Sequence, residues 1–300
     1  MSSQVSPFIT WDDFALPAGV HPPGTLVVSL DGKGHSRTVQ GAVDMVPDGN
    51  TARVKIIIMP GTYREKVFVP KKKPFVSFIG AGAGKTTITW NSTAAQAGST
   101  YESYSVAIDA DYFCACNITF VNSAPAPLPG AAGQQGVALR LSGNYTMLYR
   151  CSILGNQDTV YDREGKHYIL ECDIQGTVDF ICGFGQSLYQ RCNLLSVATR
   201  FGAVTASKRK ADDAAGFSFL DSWGNYSRTV YAYSYLSSII RPEGWSDMGH
   251  GNARKLATFG EYNCKGPGAN TKDRVSWPHV LTDEEARPFL NRSFIDASSG

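Results

Sequence analysis

Short β-rich runs, each followed by a polar turn, make up the middle of this chain. Such runs bounded by turn residues are typical of strands. Helical periodicity is nearly absent until LTDEEARPFL at 281–290. Four strand-like units share a cysteine followed by a polar residue and then Ile or Leu: FCACNITF (113–120), YRCSILG (149–155), LECDIQG (170–176) and YQRCNLLS (189–196).

The last three units recur at a nearly constant interval, which is marked by Cys151, Cys172 and Cys192. A period of about 20 residues with strand-like units indicates a solenoid. The leucine-rich pattern L-x-x-L-x-L is missing, so the sequence favours an all-β, right-handed parallel β-helix with one coil per repeat. Matching positions on successive coils would stack at ~4.8 Å. The cysteines are predicted to form a buried ladder rather than a set of disulfides.

We expect residues 1–24 to be an N-terminal extension and residues 25–300 to form one β-helix domain. Within that domain, the Gly-rich stretch IGAGAGKTTITW (79–90) raises the alternative of a phosphate-binding loop. The pattern G-x-x-x-x-G-K-[ST] needs a glycine where Ile79 stands, and a helix must follow it. The β-branched run TTITW predicts a strand instead. We therefore interpret the glycines as a turn between two strands.

Charge and cysteine usage argue against several classes of protein. The net charge is +2 and the longest basic block is the three lysines at 71–73, which does not suggest nucleic-acid binding. No run approaches the ~20 apolar residues that span a bilayer. Seven cysteines without a C-x-x-C or Cys/His cluster predict no metal site.

The N-terminal residues MSSQVSPFITWDDF lack a basic region followed by an apolar one, so we expect no signal peptide in this chain. The sequons nevertheless favour a secreted, glycosylated protein whose leader is absent from the sequence. Five asparagines stand in such sequons: Asn91, Asn117, Asn144, Asn225 and Asn291.

Two aspartates share a register. Asp158 follows Cys151 by the same seven positions that separate Asp179 from Cys172. In a β-helix of this period their side chains lie on neighbouring coils, roughly 5 Å apart. Like charges at this distance raise one pKa, which lets one carboxylate act as a nucleophile and the other as a protonated acid. Two turn-forming aspartates are the structural alternative, but that alternative does not explain the register.

Two glutamines accompany the aspartates. Gln157 adjoins Asp158, and Gln135 precedes Gln157 by about one coil. Amide side chains beside two carboxylates can donate hydrogen bonds to a developing oxyanion. The set suits acyl or glycosyl chemistry, and the sequence has neither a G-x-S-x-G elbow nor a convincing Ser/His/Asp set.

These residues fall in segments that resemble the signatures of plant-type pectin methylesterases, in order from about residue 25 to 292. The segments are GTYREKV (61–67), QGVAL (135–139), GNQDTVYD (155–162), GTVDF (176–180), WGNYSR (223–228), the GW of RPEGWSDM (241–248), FGEYNCKGPGA (259–269) and RVSWPHVLTDEEARPF (274–289). The resemblance implies a right-handed parallel β-helix. It also implies hydrolysis of galacturonate methyl esters in pectin, without cofactor or metal, in cell-wall modification.

The resemblance assigns a role to each of the four polar residues. Asp179 is the nucleophile that forms an acyl-enzyme. Asp158 protonates the departing methanol and then deprotonates the incoming water. Gln157, with Gln135, stabilises the oxyanion.

Substrate contacts and partners are implied by the same resemblance. Thr100 matches a substrate-contact position, and Trp223 and Trp245 would line the sugar groove, with core packing as the alternative for Trp245. The implied substrate is methylated homogalacturonan. A proteinaceous pectinesterase inhibitor is a further implied partner, and the protein is expected to be an extracellular monomer in the cell wall.

The sequence departs from the family pattern before Trp223. About a dozen residues that normally carry an LGR motif are missing between Ser222 and Trp223, and Asp221 falls at the position of the arginine. That arginine normally pairs with the nucleophilic aspartate. Cys182 also replaces an aromatic residue beside the groove.

These departures leave a second hypothesis, a catalytically impaired pectin-binding member of the family or a shortened isoform. A polygalacturonate lyase or glycosidase is a third. The sequence shows neither the calcium-binding carboxylate cluster and basic residue that a lyase needs nor a better fit to glycosidase chemistry.

Overall fold

The computed structural model describes residues 9–15, 24–127, 131–199, 201–207, 216–220, 229–245 and 259–296. These residues form parallel strands in three sheets, with the helices α1 (Val39–Met45), α2 (Ala94–Ala97) and α3 (Asp283–Ala286). Short 3-10 helices lie at Trp11–Asp13, Pro267–Ala269, Arg287–Phe289 and Arg292–Ile295. None of the described helices is long and apolar enough to cross a membrane.

The largest sheet, sheet A, has eleven strands within the described ranges, and each strand pairs in parallel with the next one along the solenoid. Its strands are β1 (Thr25–Val28), β2 (Val54–Ile58), β5 (Val76–Ile79), β8 (Cys114–Cys116), β11 (Thr146–Tyr149), β14 (Lys166–Leu170), β17 (Gln186–Gln190), β20 (Gly216–Leu220), β21 (Thr229–Ala232), β22 (Phe259–Tyr262) and β23 (His279–Val280).

Sheets B and C have six strands each in the described part of the chain. Sheet B contains β3 (Gly61–Arg64), β6 (Thr86–Trp90), β9 (Thr119–Asn122), β12 (Ser152–Leu154), β15 (Asp173–Gly176) and β18 (Asn193–Ser196). Sheet C contains β4 (Val67–Val69), β7 (Val106–Ile108), β10 (Leu139–Leu141), β13 (Val160–Asp162), β16 (Ile181–Gly183) and β19 (Thr205–Ser207). From β2 to β20 the chain visits A, B and C in turn. The predicted all-β, right-handed parallel β-helix is confirmed.

Coils in the middle of the chain keep a nearly constant length. In sheet C, Leu139 pairs with Val160 and Val160 pairs with Ile181, so two successive coils have the same length. In sheet A, Lys166 pairs with Gln186, which makes that coil shorter by a single position. The predicted period is therefore confirmed for these coils.

The corner between sheets A and B is made by one residue in the left-handed region. Arg150, Glu171 and Arg191 directly follow β11, β14 and β17, and their φ angles are 50°, 52° and 52°. The residues at these corners are long and charged. Glu171 lies 2.8 Å from Arg150 and 2.8 Å from Arg191, so their side chains form a ladder of ion pairs on the surface.

The cysteine column fills the inside of the same corners. Cys151, Cys172 and Cys192 are at most 1% exposed and form no disulfide with another described cysteine, which confirms the predicted ladder. The unit FCACNITF was misaligned with it, because Cys116 pairs with Tyr149. Cys116 therefore lies one position before the corner and packs in the cluster outside sheet A.

The Gly-rich stretch connects β5 to β6 as a turn. Gly82 and Gly84 have φ angles of 135° and 74°, and the Gly84 N–H donates to Thr119 Oγ1 at 2.8 Å. The strand predicted for TTITW is β6. The interpretation of this stretch as a turn between strands is confirmed.

Helix α1 lies near the N-terminal end of the solenoid and is held at both of its ends. The Glu65 carboxylate accepts hydrogen bonds from the N–H groups of Val39 and Gln40, at 2.7 and 2.8 Å. Lys73 Nζ donates to the carbonyls of Val43 and Val46, at 3.1 and 2.6 Å. Both charges complement the helix dipole. The helical periodicity of α1 escaped the sequence analysis because the helix is only seven residues long.

A polar network lies inside the solenoid at the end of β13. Asp162 and His167 are fully buried, with Asp162 Oδ1 2.7 Å from His167 Nδ1. The Tyr189 hydroxyl donates to Asp162 Oδ2 at 2.6 Å, and His167 Nε2 lies 2.9 Å from the Gly143 carbonyl oxygen. The network links β13, β14 and β17 where the chain passes from sheet C to sheet A.

Candidate active site

The corner before sheet C brings the two predicted carboxylates to matching positions. Asp158 lies two residues before β13 and Asp179 two residues before β16, and Val160 pairs with Ile181. Both aspartates have left-handed backbones, with φ angles of 60° and 51°. The Asp158 N–H donates to the Val178 carbonyl at 3.2 Å. The two corners are therefore stacked in the register that the sequence predicted.

Close stacking depends on a glycine and a buried threonine. A Cβ on Gly176 would lie 2.1 Å from the Cβ of Phe180 and 2.7 Å from the Asn156 carbonyl oxygen. The GTVDF segment therefore needs glycine at its first position. The buried Thr159 hydroxyl donates to the same Asn156 carbonyl at 3.0 Å. These contacts stabilise corners whose left-handed backbones are otherwise unfavourable.

Burial raises the pKa values of both carboxyls, to different extents. Oδ1 of Asp179 is buried without a hydrogen-bond partner among the described residues, and burial raises the pKa of Asp179 to about 6. Burial, and then the charge of Asp179, raises the pKa of Asp158 to about 7. At a pH between these values the pair holds one proton, mostly on Asp158. This is the division between nucleophile and acid expected for such a pair.

The two glutamines lie beside this pair. Gln135 Nε2 donates to Thr100 Oγ1 at 2.9 Å, and its second N–H has no partner among the described residues. The Gly136 N–H donates to the Gln157 carbonyl at 3.1 Å, so Gln135 stacks against the corner that carries Gln157. Thr100, expected to contact substrate, is thus placed to orient an amide. The described residues contain no group of three or more His, Cys, Asp or Glu side chains placed to bind a metal.

Tyr161 and Cys182 border the carboxylates on the outer face of sheet C. They pair with each other in register and are partly exposed. Burial, followed by the charges of Asp158 and Asp179, raises the pKa of Cys182 well above its usual value. Its thiol is therefore neutral and does not compete as a nucleophile. Tyr161 was not singled out from the sequence, although it follows Asp158 by the same three positions that separate Cys182 from Asp179.

Of the two tryptophans expected to line the groove, Trp245 lies within the described residues. Trp245 is 4% exposed, its indole N–H donates to Glu261 at 3.0 Å, and its ring lies 4.9 Å from that of Phe259. This placement matches the core-packing alternative, because a buried ring offers little surface to a sugar. Trp223 and the expected deletion before it lie outside the described residues.

Sequence reasoning also missed Arg140. It stands on β10 between Ala107 and Tyr161 in the register of sheet C, and it is 2% exposed. The signal that could have found it is a single charge inside the apolar run VALRL at 137–141. A lone arginine in such a strand predicts a buried polar contact.

Comparison with known proteins gives concordant matches. A family model described as pectinesterase matches residues 25–222 and 218–298. The chain is 48% identical to Pectinesterase QRT1 of Arabidopsis thaliana over 292 residues, which cover 90% of this chain and 77% of that protein. It is 40% identical to Putative pectinesterase 14 of the same plant over 287 residues, with coverages of 90% and 86%. The solved structure of a pectin methylesterase from carrot has a TM-score of 0.85 and 33% identity, covering 93% of this chain and 95% of that one.

Proposed function

This chain belongs to the pectinesterase family, and we propose that it hydrolyses the methyl esters of pectin with Asp179 and Asp158 as its catalytic pair. The reaction makes it a carboxylic-ester hydrolase. The observation that carries the assignment of residues is the pair itself: two half-buried carboxyls in register on adjacent coils, with pKa values of about 6 and about 7.

In the first half-reaction, the ionised carboxylate of Asp179 attacks the ester carbonyl carbon of a methylated galacturonate. The carbonyl oxygen becomes an oxyanion, which accepts hydrogen bonds from the amides of Gln135 and Gln157. The carbon–methoxy bond then breaks, and the leaving oxygen takes the proton of Asp158 to give methanol. The products are an acyl-enzyme, in which Asp179 forms an anhydride with the sugar carboxyl, and an ionised Asp158.

In the second half-reaction, the ionised Asp158 takes a proton from water. The oxygen of that water attacks the sugar carbonyl carbon, and the oxyanion forms again in the same place. Collapse of this intermediate breaks the bond to Asp179 and releases the galacturonate as its carboxylic acid, which then loses its proton to solvent. Asp179 is ionised and Asp158 is protonated at the end, so the cycle closes without a cofactor.

The proposed reaction runs without the LGR arginine that the sequence lacks. Two observations support a shortened coil before Trp223. Ser218 pairs with Val230, so the step between these strands is much shorter than the regular coil, and the family model matches in two segments that meet at 218–222. The pKa of Asp179, about 6, means that this carboxylate is ionised at neutral pH even without a cationic partner.

The setting of the reaction is the plant cell wall, and the substrate we propose is methylated homogalacturonan lying along the outer face of sheet C. Exposed sequon asparagines support a secreted, glycosylated protein: Asn91, Asn144 and Asn291. The monomeric state and the proteinaceous inhibitor stay predictions of the family resemblance.

Methanol release from highly methylated pectin tests the proposal. The parent protein should release methanol, and Asp179→Asn should lower kcat by about 10³-fold or more. Asp273→Asn, at an exposed carboxylate, is the matched control and should keep full activity. No release from a folded, β-rich parent would contradict the proposal. In that case, recovery of activity after insertion of an arginine-bearing segment between Ser222 and Trp223 would identify the deletion as the cause.

A further inference from the structure

Arg140 is a buried charge whose presence needs a reason. Its Nη2 lies 3.2 Å from Asp109, whose side chain is 22% exposed. Its Nε is buried without a hydrogen-bond partner among the described residues. Burying a guanidinium with one unsatisfied donor is costly, and an apolar side chain of similar size is often at least as stabilising. Stability alone therefore does not explain the arginine.

The guanidinium of Arg140 instead holds the segment 99–104 against the outer face of sheet C. Its Nη1 donates to the Tyr101 carbonyl at 2.8 Å. The Cζ atom of Arg140 lies 3.6 Å from the ring centroid of Tyr101 and 4.7 Å from the ring centroid of Tyr104. A planar guanidinium can stack on rings and donate hydrogen bonds from its edge at once, which an ammonium group does less well.

The same segment reaches the proposed oxyanion site through Thr100. The Thr100 hydroxyl accepts the hydrogen bond from Gln135. The Ser103 hydroxyl donates to the Thr100 carbonyl at 2.8 Å and accepts from the Val137 N–H at 3.2 Å. Thr100 is thus held by a hydrogen bond from Ser103 and by its chain neighbour Tyr101, whose carbonyl Arg140 binds. A continuous path of contacts joins Arg140 to the amide of Gln135.

We propose that Arg140 is a positioning residue for ester hydrolysis, which fixes the segment 99–104 so that Thr100 holds the Gln135 amide toward the oxyanion. This inference rests on the function proposed above, and in particular on the role of Gln135. Arg140 itself does not touch substrate, because Tyr101 and Tyr104 cover its guanidinium. Its effect is preorganisation: a donor that is already oriented stabilises the oxyanion without reorganising during the reaction.

A kinetic double-mutant cycle tests the path. Arg140→Met should lower kcat by about 10- to 100-fold, below the ~10²–10³ of losing an oxyanion donor outright, with KM nearly unchanged. In a Gln135→Ala background the same change should lower kcat less than about 2-fold, because the group that Arg140 orients is already gone. Thr100→Val should show the same dependence on Gln135. Equal factors in both backgrounds would overturn the inference.

A second measurement examines the first contact of the path independently of activity. Arg140→Met should increase amide hydrogen exchange in residues 99–104, and Arg140→Lys should give a smaller increase. Arg274→Met is the matched control, since Arg274 is also buried and pairs with a carboxylate, Glu261, at 2.8 Å. It should leave exchange in 99–104 unchanged. Unchanged exchange in the Arg140→Met protein would overturn the inference.

The outcomes separate the inference from the proposed function. If Gln135→Ala keeps full activity, the role of Gln135 in the proposed function is wrong and the inference fails with it. If Gln135→Ala is impaired but the cycle is additive, the inference alone fails. If Arg140→Met does not fold, Arg140→Lys takes its place in the cycle, and its loss of kcat must again vanish in the Gln135→Ala background.

Discussion

Replacement of Asp179 by asparagine should stabilise this protein at alkaline pH while abolishing its activity. The substitution changes little besides charge. Asparagine has nearly the same size and, like aspartate, tolerates the left-handed backbone of this position, where φ is 51°. The stability of the variant therefore reports how strongly the folded protein disfavours the ionised form of Asp179.

The size of the effect follows from the pKa of Asp179, which burial raises from 3.8 to about 6 in the folded protein. A carboxyl with a raised folded pKa contributes stability that is fully present below about 3.8 and lost as the pH rises through about 6. A difference of about 2 between the two pKa values corresponds to about 3 kcal/mol of unfolding free energy. The Asp179→Asn protein does not suffer this loss. It should be more stable than the parent by about 3 kcal/mol at about pH 8 and by much less near pH 4.

Urea unfolding of both proteins at these two pH values, followed by circular dichroism and tryptophan fluorescence, measures the difference. Asp273→Asn is the control, because Asp273 is exposed and its substitution should change stability little at either pH. An Asp179→Asn protein that is no more stable than its parent at about pH 8 would refute the reasoning. That result would mean that a cation compensates the buried carboxylate, and the proposed loss of the arginine partner would then need another account.

Two further predictions concern the pH profile and the buried network. The value of kcat/KM should rise as the pH passes about 6, where Asp179 ionises, and fall as the pH passes about 7, where Asp158 loses the proton that the departing methanol needs. Initial rates of methanol release between about pH 4 and 9 measure this profile. A plateau of kcat/KM extending to about pH 9 would contradict the role of Asp158. His167→Leu should cost about 3–5 kcal/mol of unfolding free energy, because it leaves the buried Asp162 with the Tyr189 hydroxyl but without its imidazole partner. Urea unfolding checks this against His279→Leu at an exposed position, and equal stabilities of the two variants would contradict it.

The parts of the fold that were predictable from the sequence are those that repeat. Cys151 and Cys172 each follow a corner residue, so their spacing measures one coil, and the same spacing relates Asp158 to Asp179. The repeat predicts the wrong position for Cys116, whose neighbours in the sequence resemble those of the other cysteines although it precedes its corner. Periodicity reveals which residues stack only when each residue holds the same place within its coil.

Contacts between distant residues that do not repeat were not predictable. Glu65 binds the start of α1, 26 residues earlier in the chain at Val39, and Arg140 binds the Tyr101 carbonyl, 39 residues earlier. Neither pair belongs to a local motif or to the period. Trp245 shows a related limit, since the GW segment does not reveal which face of the coil its ring will occupy. In the structure the Trp245 ring packs in the hydrophobic core.

The arrangement of the catalytic pair and its electrostatics depend on different parts of the solenoid. A coil contacts mainly its immediate neighbours, and the corners of Asp158 and Asp179 are held by β13, β16 and the residues beside them. The short step from Ser218 to Val230 lies in sheet A, farther along the chain. Shortening there leaves the register of the pair unchanged. Under the proposed deletion, the shortening removes a cation near Asp179. Loss of a neighbouring cation raises the pKa of a carboxylate. A family member can therefore lose that arginine and keep the geometry for ester hydrolysis, provided that it works above the raised pKa of its nucleophile.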